Sequence, residues 1–237
     1  MSQTLNDPIG QAILDFARTG QNKDILVKSD VCDDDVLSSA YLFRTYDEMS
    51  LLEQMAIDLA EGKVLDVGAG AGPHSFELKR RGKDVQAIDI SPGAVSVLRD
   101  RGLAARQLNF FDLKDERYDT ILFLMNGIGI GGTLEIMRQT LLHAKTLLSK
   151  NGKILCDSTD IRYLYEDEDG SYWIDLNAEY YGEVNFLLEY ENHSSDWFDW
   201  LYIDFETLRE LAEECGFTSQ HLYEENDQYL VELCVNE

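Results

Sequence analysis

The sequence predicts an α/β fold, a doubly wound and mainly parallel sheet closed by an antiparallel hairpin. Residues 64–72 read V-L-D-V-G-A-G-A-G, a short apolar strand that runs into a glycine turn. From that turn to residue 157, apolar strand-like runs alternate with helical periodicity, the pattern of parallel strands covered by helices on both faces. Residues 217–223 and 228–235 alternate in polarity around Asn226-Asp227 and read as a terminal hairpin.

Each element follows from local chemistry. Asp7 and Pro8 cap and open a first helix, with Ile9, Ala12, Ile13, Phe16 and Ala17 on one face and Gly20 at its end. Residues 21–35 are polar and acidic and read as a loop. Ser50 and Glu53 form a capping box for a second helix, whose apolar side is Leu51, Leu52, Met55, Ala56, Leu59 and Ala60. Residues 1–62 are therefore expected to be an N-terminal helical cap, and 63–237 the main domain. After the glycine turn, Pro73 opens a helix that Gly82 closes. Residues 84–90 are a strand, Ser91-Pro92 starts a helix closed by Gly102, and 103–108 are a short strand. Residues 118–125 are apolar enough for a central strand. Residues 133–148 place Leu134, Met137, Leu141, Ala144 and Leu148 on one helical face, and 153–157 are a strand after the Asn151-Gly152 turn.

The alternation then breaks. Residues 158–204 are acidic and rich in Tyr and Trp, and 182–191 and 197–204 read as an antiparallel ribbon around His193-Ser194-Ser195. This insertion is lid-like in position. A helix at 205–215, closed by Gly216, leads into the hairpin.

Composition bounds the ligand. The chain has 237 residues, 45 acids against 20 bases and a net charge of −25. Such a surface repels nucleic acid and anionic lipid, and favours a neutral or cationic small molecule or a protein. Solubility is the plainer role for the charge. The four cysteines, Cys32, Cys156, Cys215 and Cys234, form no C-x-x-C and read as reduced, buried thiols. The N-terminus lacks a signal-peptide core, and the apolar run 121–134 is cut by Gly127, Gly129, Gly131 and Gly132. A cytoplasmic protein is the expectation. His74, His143, His193 and His221 have no metal-ligand spacing, so no metal is expected.

Asp66 interrupts the apolar strand just before Gly68, Gly70 and Gly72, and Asp89 ends the next strand. In a doubly wound sheet Asp89 lies beside the glycine turn, where it can accept hydrogen bonds from a ribose diol, with Ile90 placed against a base. A dinucleotide fingerprint fails, because its third glycine would fall on Pro73 or Ser75. A ligand with an amino-acid part and a sulfonium charge suits the acidic surroundings better. Arg44 is a scarce cation that could meet a carboxylate of the cofactor or of an acidic substrate, or could form a surface ion pair. Tyr46 beside it is a weaker version of the same idea. His74 is either a general base or a packed helix-start residue.

These residues resemble the class I S-adenosylmethionine-dependent methyltransferases. The resemblance is carried by V-L-D-V-G-A-G-A-G at 64–72, A-I-D-I-S-P at 87–92 and Y-D-T-I-L-F-L-M-N at 118–126. It implies a Rossmann-like seven-stranded sheet and S-adenosylmethionine as cofactor. It implies that Asp66, Gly68, Gly70 and Gly72 line the methionine part, that Asp89 holds the ribose and that Ile90 meets the adenine. Asn109, with Phe110 beside it, falls where the family faces the adenine amine, and Asp112 is the competing choice. Met125, Asn126 and Gly127 end the fourth strand, where sulfonium and acceptor should meet. Methyl transfer to a small-molecule acceptor is the expected function. An aminopropyl transferase is a rival, although Asn126 stands where that group carries a carboxylate, and a non-catalytic binding protein is another. Tyr163, Tyr165, Tyr172, Trp173, Tyr180, Tyr181, Tyr190, Trp197, Trp200 and Tyr202 would line an acceptor site, pack a small sheet or form a homodimer contact. No catalytic residue is assigned.

Overall fold

In the computed structural model, which describes residues 6–167 and 180–236, the glycine turn opens from the middle of a seven-stranded sheet. In chain order the elements are α1 (Pro8–Thr19), β1 (Asp24–Ser29), β2 (Asp35–Ser38), α2 (Leu51–Leu59), β3 (Lys63–Val67), α3 (Pro73–Arg80), β4 (Asp84–Asp89) and α4 (Pro92–Asp100). Then come β5 (Ala104–Gln107), β6 (Tyr118–Phe123), α5 (Leu134–Leu147), β7 (Leu148–Thr159), β8 (Glu183–Tyr190), β9 (His193–Ser194) and β10 (Phe198–Leu201). The chain ends with α6 (Phe205–Glu214), β11 (Phe217–Glu225) and β12 (Gln228–Val235).

The large sheet runs β11-β12-β7-β6-β3-β4-β5. Strands β7 to β5 are parallel neighbours, and β12 and β11 are added antiparallel. Strand β3 pairs with β4 on one side and β6 on the other, so the chain reverses its winding direction there. A crevice at the carboxyl ends of such strands is where ligands bind in open α/β sheets. The hairpin turn is as read, with Asn226 and Asp227 both at positive φ. The caps also follow the sequence: Asp7 accepts from Gly10, Gly20 is left-handed, and Ser50 and Glu53 complete the capping box of α2.

One expectation is corrected. The stretch 21–35, read as loop, contains β1 and the start of β2. Leu26 and Val27 of β1 pair with Glu189 and Leu188 of β8. The other neighbour of β1 is β2, which pairs with it antiparallel across the acidic residues 30–34, and the short I-L-V run of β1 is flanked by polar residues, so the hairpin carries little apolar alternation. The N-terminal segment thus carries the two expected helices and two strands. Those strands join the inserted ribbon in one antiparallel sheet, β10-β8-β1-β2 with β9 on β8. The N-terminal segment and the described part of the insertion are therefore joined in one sheet.

That sheet is seated by an apolar cluster of Ala12, Ile13, Ile25, Leu188 and Tyr190, which also takes in Ala71 of the glycine turn and touches Met125. Helices α1 and α4 cross closely, because a Cβ on Gly93 would meet the Gly10 carbonyl at 2.5 Å. A second correction concerns the thiols: Cys156 and Cys215 are buried and Cys234 partly so, but Cys32 is exposed. Among the described residues no helix is long and apolar enough to cross a membrane.

Candidate active site

The glycine turn is tied to β4 by the Gly68 and Ala69 amides, which donate to the Ile88 carbonyl at 3.0 and 3.1 Å. Gly68, Gly70 and Gly72 all have left-handed φ, at 69°, 55° and 81°. A Cβ on Gly68 or Gly70 would find nothing within 4 Å, so both face open space. A Cβ on Gly72 would run into Leu98, and into Leu103 at 2.9 Å. Gly72 thus serves packing against α4 and β5, and two glycines are left for a ligand. This split is testable. Gly72→Ala is expected to lower stability by roughly 2 to 4 kcal/mol, combining overpacking with left-handed strain. Gly70→Leu should melt much closer to wild type and yet lose the ligand of the turn, as read by thermal melting and calorimetric titration.

Asp89 closes the other side. Its Oδ2 accepts from the Gly70 amide and its Oδ1 from the Ser91 amide, both at 2.8 Å. Burial raises its pKa, and these two donors oppose the rise. The Ser91 hydroxyl in turn donates to Asp7 at 2.6 Å, which fixes α1 to the start of α4. Ile90 is 58% exposed, a free apolar surface beside the carboxylate. Asn109 is exposed, and its Oδ1 accepts from the Phe111 amide at 3.0 Å. Phe110 is corrected: it is only 4% exposed and packs in the core against Phe123 and His143. Its ring is committed to the core, and Phe111 is the half-buried ring at that point.

Just after β6 come two consecutive left-handed non-glycine residues, Met125 and Asn126, at φ 62° and 54°. Such backbone costs about 1 to 3 kcal/mol per residue and persists only where the surroundings hold it. Here the Asn126 amide donates to Asp157 Oδ2 at 3.0 Å, and the Thr159 hydroxyl donates to Asn126 Oδ1 at 2.9 Å. Gln228 Nε2 from the hairpin also donates to Asp157 Oδ2, at 2.9 Å. Asp157 is 1% exposed, and its other oxygen, Oδ1, has no hydrogen-bond partner. Sequence reasoning missed this residue. The signal existed, since Asp157, like Asp66 and Asp89, is an acid at the carboxyl end of an apolar strand.

Burial pushes the Asp157 carboxyl up to about 6, against the pull of the Asn126 and Gln228 donors. Between its ordinary range and that value the folded chain keeps a proton that the unfolded chain has released. Stability therefore falls as pH rises through that window, by about 3 kcal/mol in all. Asp157→Asn should remove this component. The wild-type minus variant difference in urea-unfolding free energy is expected to slope between pH 4 and pH 7, and a flat difference would refute the raised carboxyl.

Arg44 is corrected as well. It is 5% exposed, and its Nε donates to both oxygens of Glu53, at 3.1 and 3.3 Å. A second nitrogen also pairs with Glu53, and the third donates to the Tyr41 carbonyl at 3.0 Å. Arg44 forms a buried pair with Glu53 and not a surface one, and its Nη2 lies 3.4 Å from His74 Nε2. His74 Nε2 lies 2.7 Å from Glu53 Oε1, so this histidine faces an interior partner. Burial alone would raise Glu53, but the hydrogen bonds from His74 and Arg44 prevail and lower it to about 2. Asp66 is 2% exposed and accepts from the Ser75 hydroxyl at 2.6 Å; burial raises its pKa. The weaker choice, Tyr46, is occupied by Asp58 at 2.9 Å.

The aromatic residues of the insertion differ in their surroundings. Tyr180 and Tyr181 are tethered to Asp204 and Asp160, at 2.6 and 2.8 Å, and Tyr190 is buried. Phe186, Phe198, Trp200 and Tyr202 form a chain of ring contacts with centroids 6.2 to 6.3 Å apart. Tyr163 and Trp197 are exposed, and Tyr165 donates to the Tyr181 carbonyl. Tyr172 and Trp173 lie outside the described residues.

Comparison with known proteins gives this geometry a family. The family described as "Methyltransferase domain" matches residues 59–225. The chain is 45% identical to a SAM-dependent methyltransferase from Bacteroides fragilis whose crystal structure holds S-adenosyl-L-homocysteine; the match covers 98% of this chain and 96% of that one, with a TM-score of 0.92. It is 28% identical over 179 residues to an uncharacterized methyltransferase of Staphylococcus carnosus, covering 74% of this chain and 78% of the relative. The CcbJ methyltransferase of Streptomyces caelestis shares the fold, at a TM-score of 0.60 and 15% identity, over 81% of this chain and 95% of that one. The strand-turn-helix at 63–80, the acid that ends β4 and the seven-stranded sheet thus have one explanation: the chain belongs to the S-adenosylmethionine-dependent methyltransferases.

Proposed function

We propose that the chain methylates a small-molecule acceptor by in-line displacement, with the cofactor lying across the carboxyl ends of β3 and β4. One observation carries the reading: Gly68 and Gly70 leave open space beside the Asp89 carboxylate and the exposed Ile90. The backbone there can approach a ligand that a Cβ would push away. When bound, the cofactor supplies a methyl group activated on a positively charged sulfur. Asp89 would hold the ribose hydroxyls, Ile90 the adenine face, and Asn109 the adenine amine through the second lone pair of Oδ1. Asp66 would set the negative field for the amino-acid part, and Met125 and Asn126 would border the reacting end. Arg44 would act through Glu53 and His74 by fixing the start of α3. Residues 1–62 and 158–204 would close over the acceptor as cap and lid, aligning it and excluding water.

Thermal melting tests the cofactor half of this reading. At about 100-fold excess over its dissociation constant, S-adenosylhomocysteine or S-adenosylmethionine should stabilise the fold by roughly 2.7 kcal/mol. That raises the midpoint by roughly 5 to 10 °C for a chain of this size. A shift with NAD and none with either sulfur ligand would overturn it. The acceptor half is read by turnover to S-adenosylhomocysteine with a panel of small molecules, against which a protein-only acceptor would count.

A further inference from the structure

We propose that Asp157 Oδ1 receives the nucleophilic nitrogen of the acceptor, which is an amine arriving as its ammonium ion. The proposal rests on the small-molecule methyl-transfer reading above and names its substrate class.

Three observations lead to it. First, the two oxygens of Asp157 are used unequally. Oδ2 takes both protein donors, the Asn126 amide and Gln228 Nε2, while Oδ1 is buried and unpartnered. A buried acceptor left unpaired is costly, and a charged donor relieves that cost more than a neutral one. Second, Asp157 holds the left-handed Met125-Asn126 corner after β6, which in the proposed function borders the reacting end of the cofactor. Third, the protein supplies no cation for this carboxylate: among the described residues no ion pair to Asp157 forms, and the Arg44 guanidinium is taken up by Glu53, the Tyr41 carbonyl and the Tyr41 ring, whose centroid lies 4.3 Å away.

The chemistry balances. The ammonium N–H donates to Oδ1 and passes its proton there. This leaves a neutral amine with a free lone pair and a neutral carboxyl, which later returns the proton to solvent. Methyl transfer needs that lone pair. An alcohol could hydrogen-bond to Oδ1 but would gain no charge pairing.

The test is a calorimetric titration of the protein saturated with S-adenosylhomocysteine. The probes are two matched pairs, benzylamine with benzyl alcohol and cyclohexylamine with cyclohexanol, at a pH above the raised Asp157 value of about 6 at which both amines are still protonated, so that carboxylate and ammonium are both charged. In the wild type each amine should bind at least tenfold tighter than its alcohol. In Asp157→Asn that preference should shrink below threefold, while affinity for S-adenosylhomocysteine changes less than threefold. Equal binding within each pair, preference for the alcohols, no binding of any probe, or a variant that keeps the preference would overturn the proposal. The wild-type comparison stands even if the variant does not fold. Saturation with S-adenosylhomocysteine is measured first, so a wild type that cannot bind it brings down the underlying cofactor reading separately.

Discussion

Asp89→Ala is expected to weaken binding of S-adenosylhomocysteine at least 100-fold and to leave a folded protein. The magnitude follows from what the carboxylate is asked to do. Two hydrogen bonds from ribose hydroxyls to an ionised acceptor contribute about 1.5 to 3 kcal/mol each. Losing them costs roughly two to four powers of ten in affinity. Asp89 also holds the Gly70 and Ser91 amides at 2.8 Å, so its loss loosens the turn as well. The apolar core does not depend on it, because Asp89 lies at the strand end and its neighbours Ala87 and Ile88 carry the packing. Isothermal titration with circular dichroism of the same sample checks both halves. Unchanged affinity would mean that Asp89 does not hold the ribose.

Glu53→Ala should be the most destabilising of the polar substitutions. It strips the carboxylate from a buried pair and leaves the Arg44 guanidinium and His74 in the interior without their partner. Breaking a buried pair from one side costs about 3 to 5 kcal/mol. That corresponds to a fall in Tm of roughly 6 to 20 °C. The pair has a pH signature. Glu53 is lowered to about 2 in the folded chain, from an ordinary carboxylate value when unfolded. Its stabilisation is complete above that ordinary range and is lost as pH falls toward 2. Wild type and Glu53→Gln should therefore converge in stability on acidification. A constant gap from pH 7 to pH 3 would contradict the ion pair.

Legibility in the sequence tracked the range of the interaction. The glycine turn, the capping box at Ser50-Glu53 and the Asn226-Asp227 hairpin are set by neighbours a few residues apart, and each formed as read. Strand β1 lies between β2, a few residues on, and β8, far along the chain, and the polar, acidic residues around its short apolar run hid it. Phe110 shows a limit of another kind. An aromatic beside Asn109 reads as a ligand-facing ring, but the short 3-10 turn at Phe110–Asp112 rotates it inward and leaves Phe111 outside. Arg44 shows a third. Its scarcity in an acidic chain suggested a ligand, whereas Glu53 was already credited to a helix cap. The same carboxylate does both tasks, since its Oε2 accepts from Ser50 while Oε1 faces Arg44 and His74. Asp157 was visible as a strand-end acid, but only the tertiary structure shows that one of its oxygens is left without a partner.

A crystal structure of the protein with S-adenosylhomocysteine tests the central claim most directly. The account predicts the ribose hydroxyls within hydrogen-bonding distance of the Asp89 carboxylate, the adenine against Ile90, and the chain of the ligand passing over Gly68 and Gly70. A nucleoside bound elsewhere, with the space over Gly68 and Gly70 filled by solvent, would contradict it.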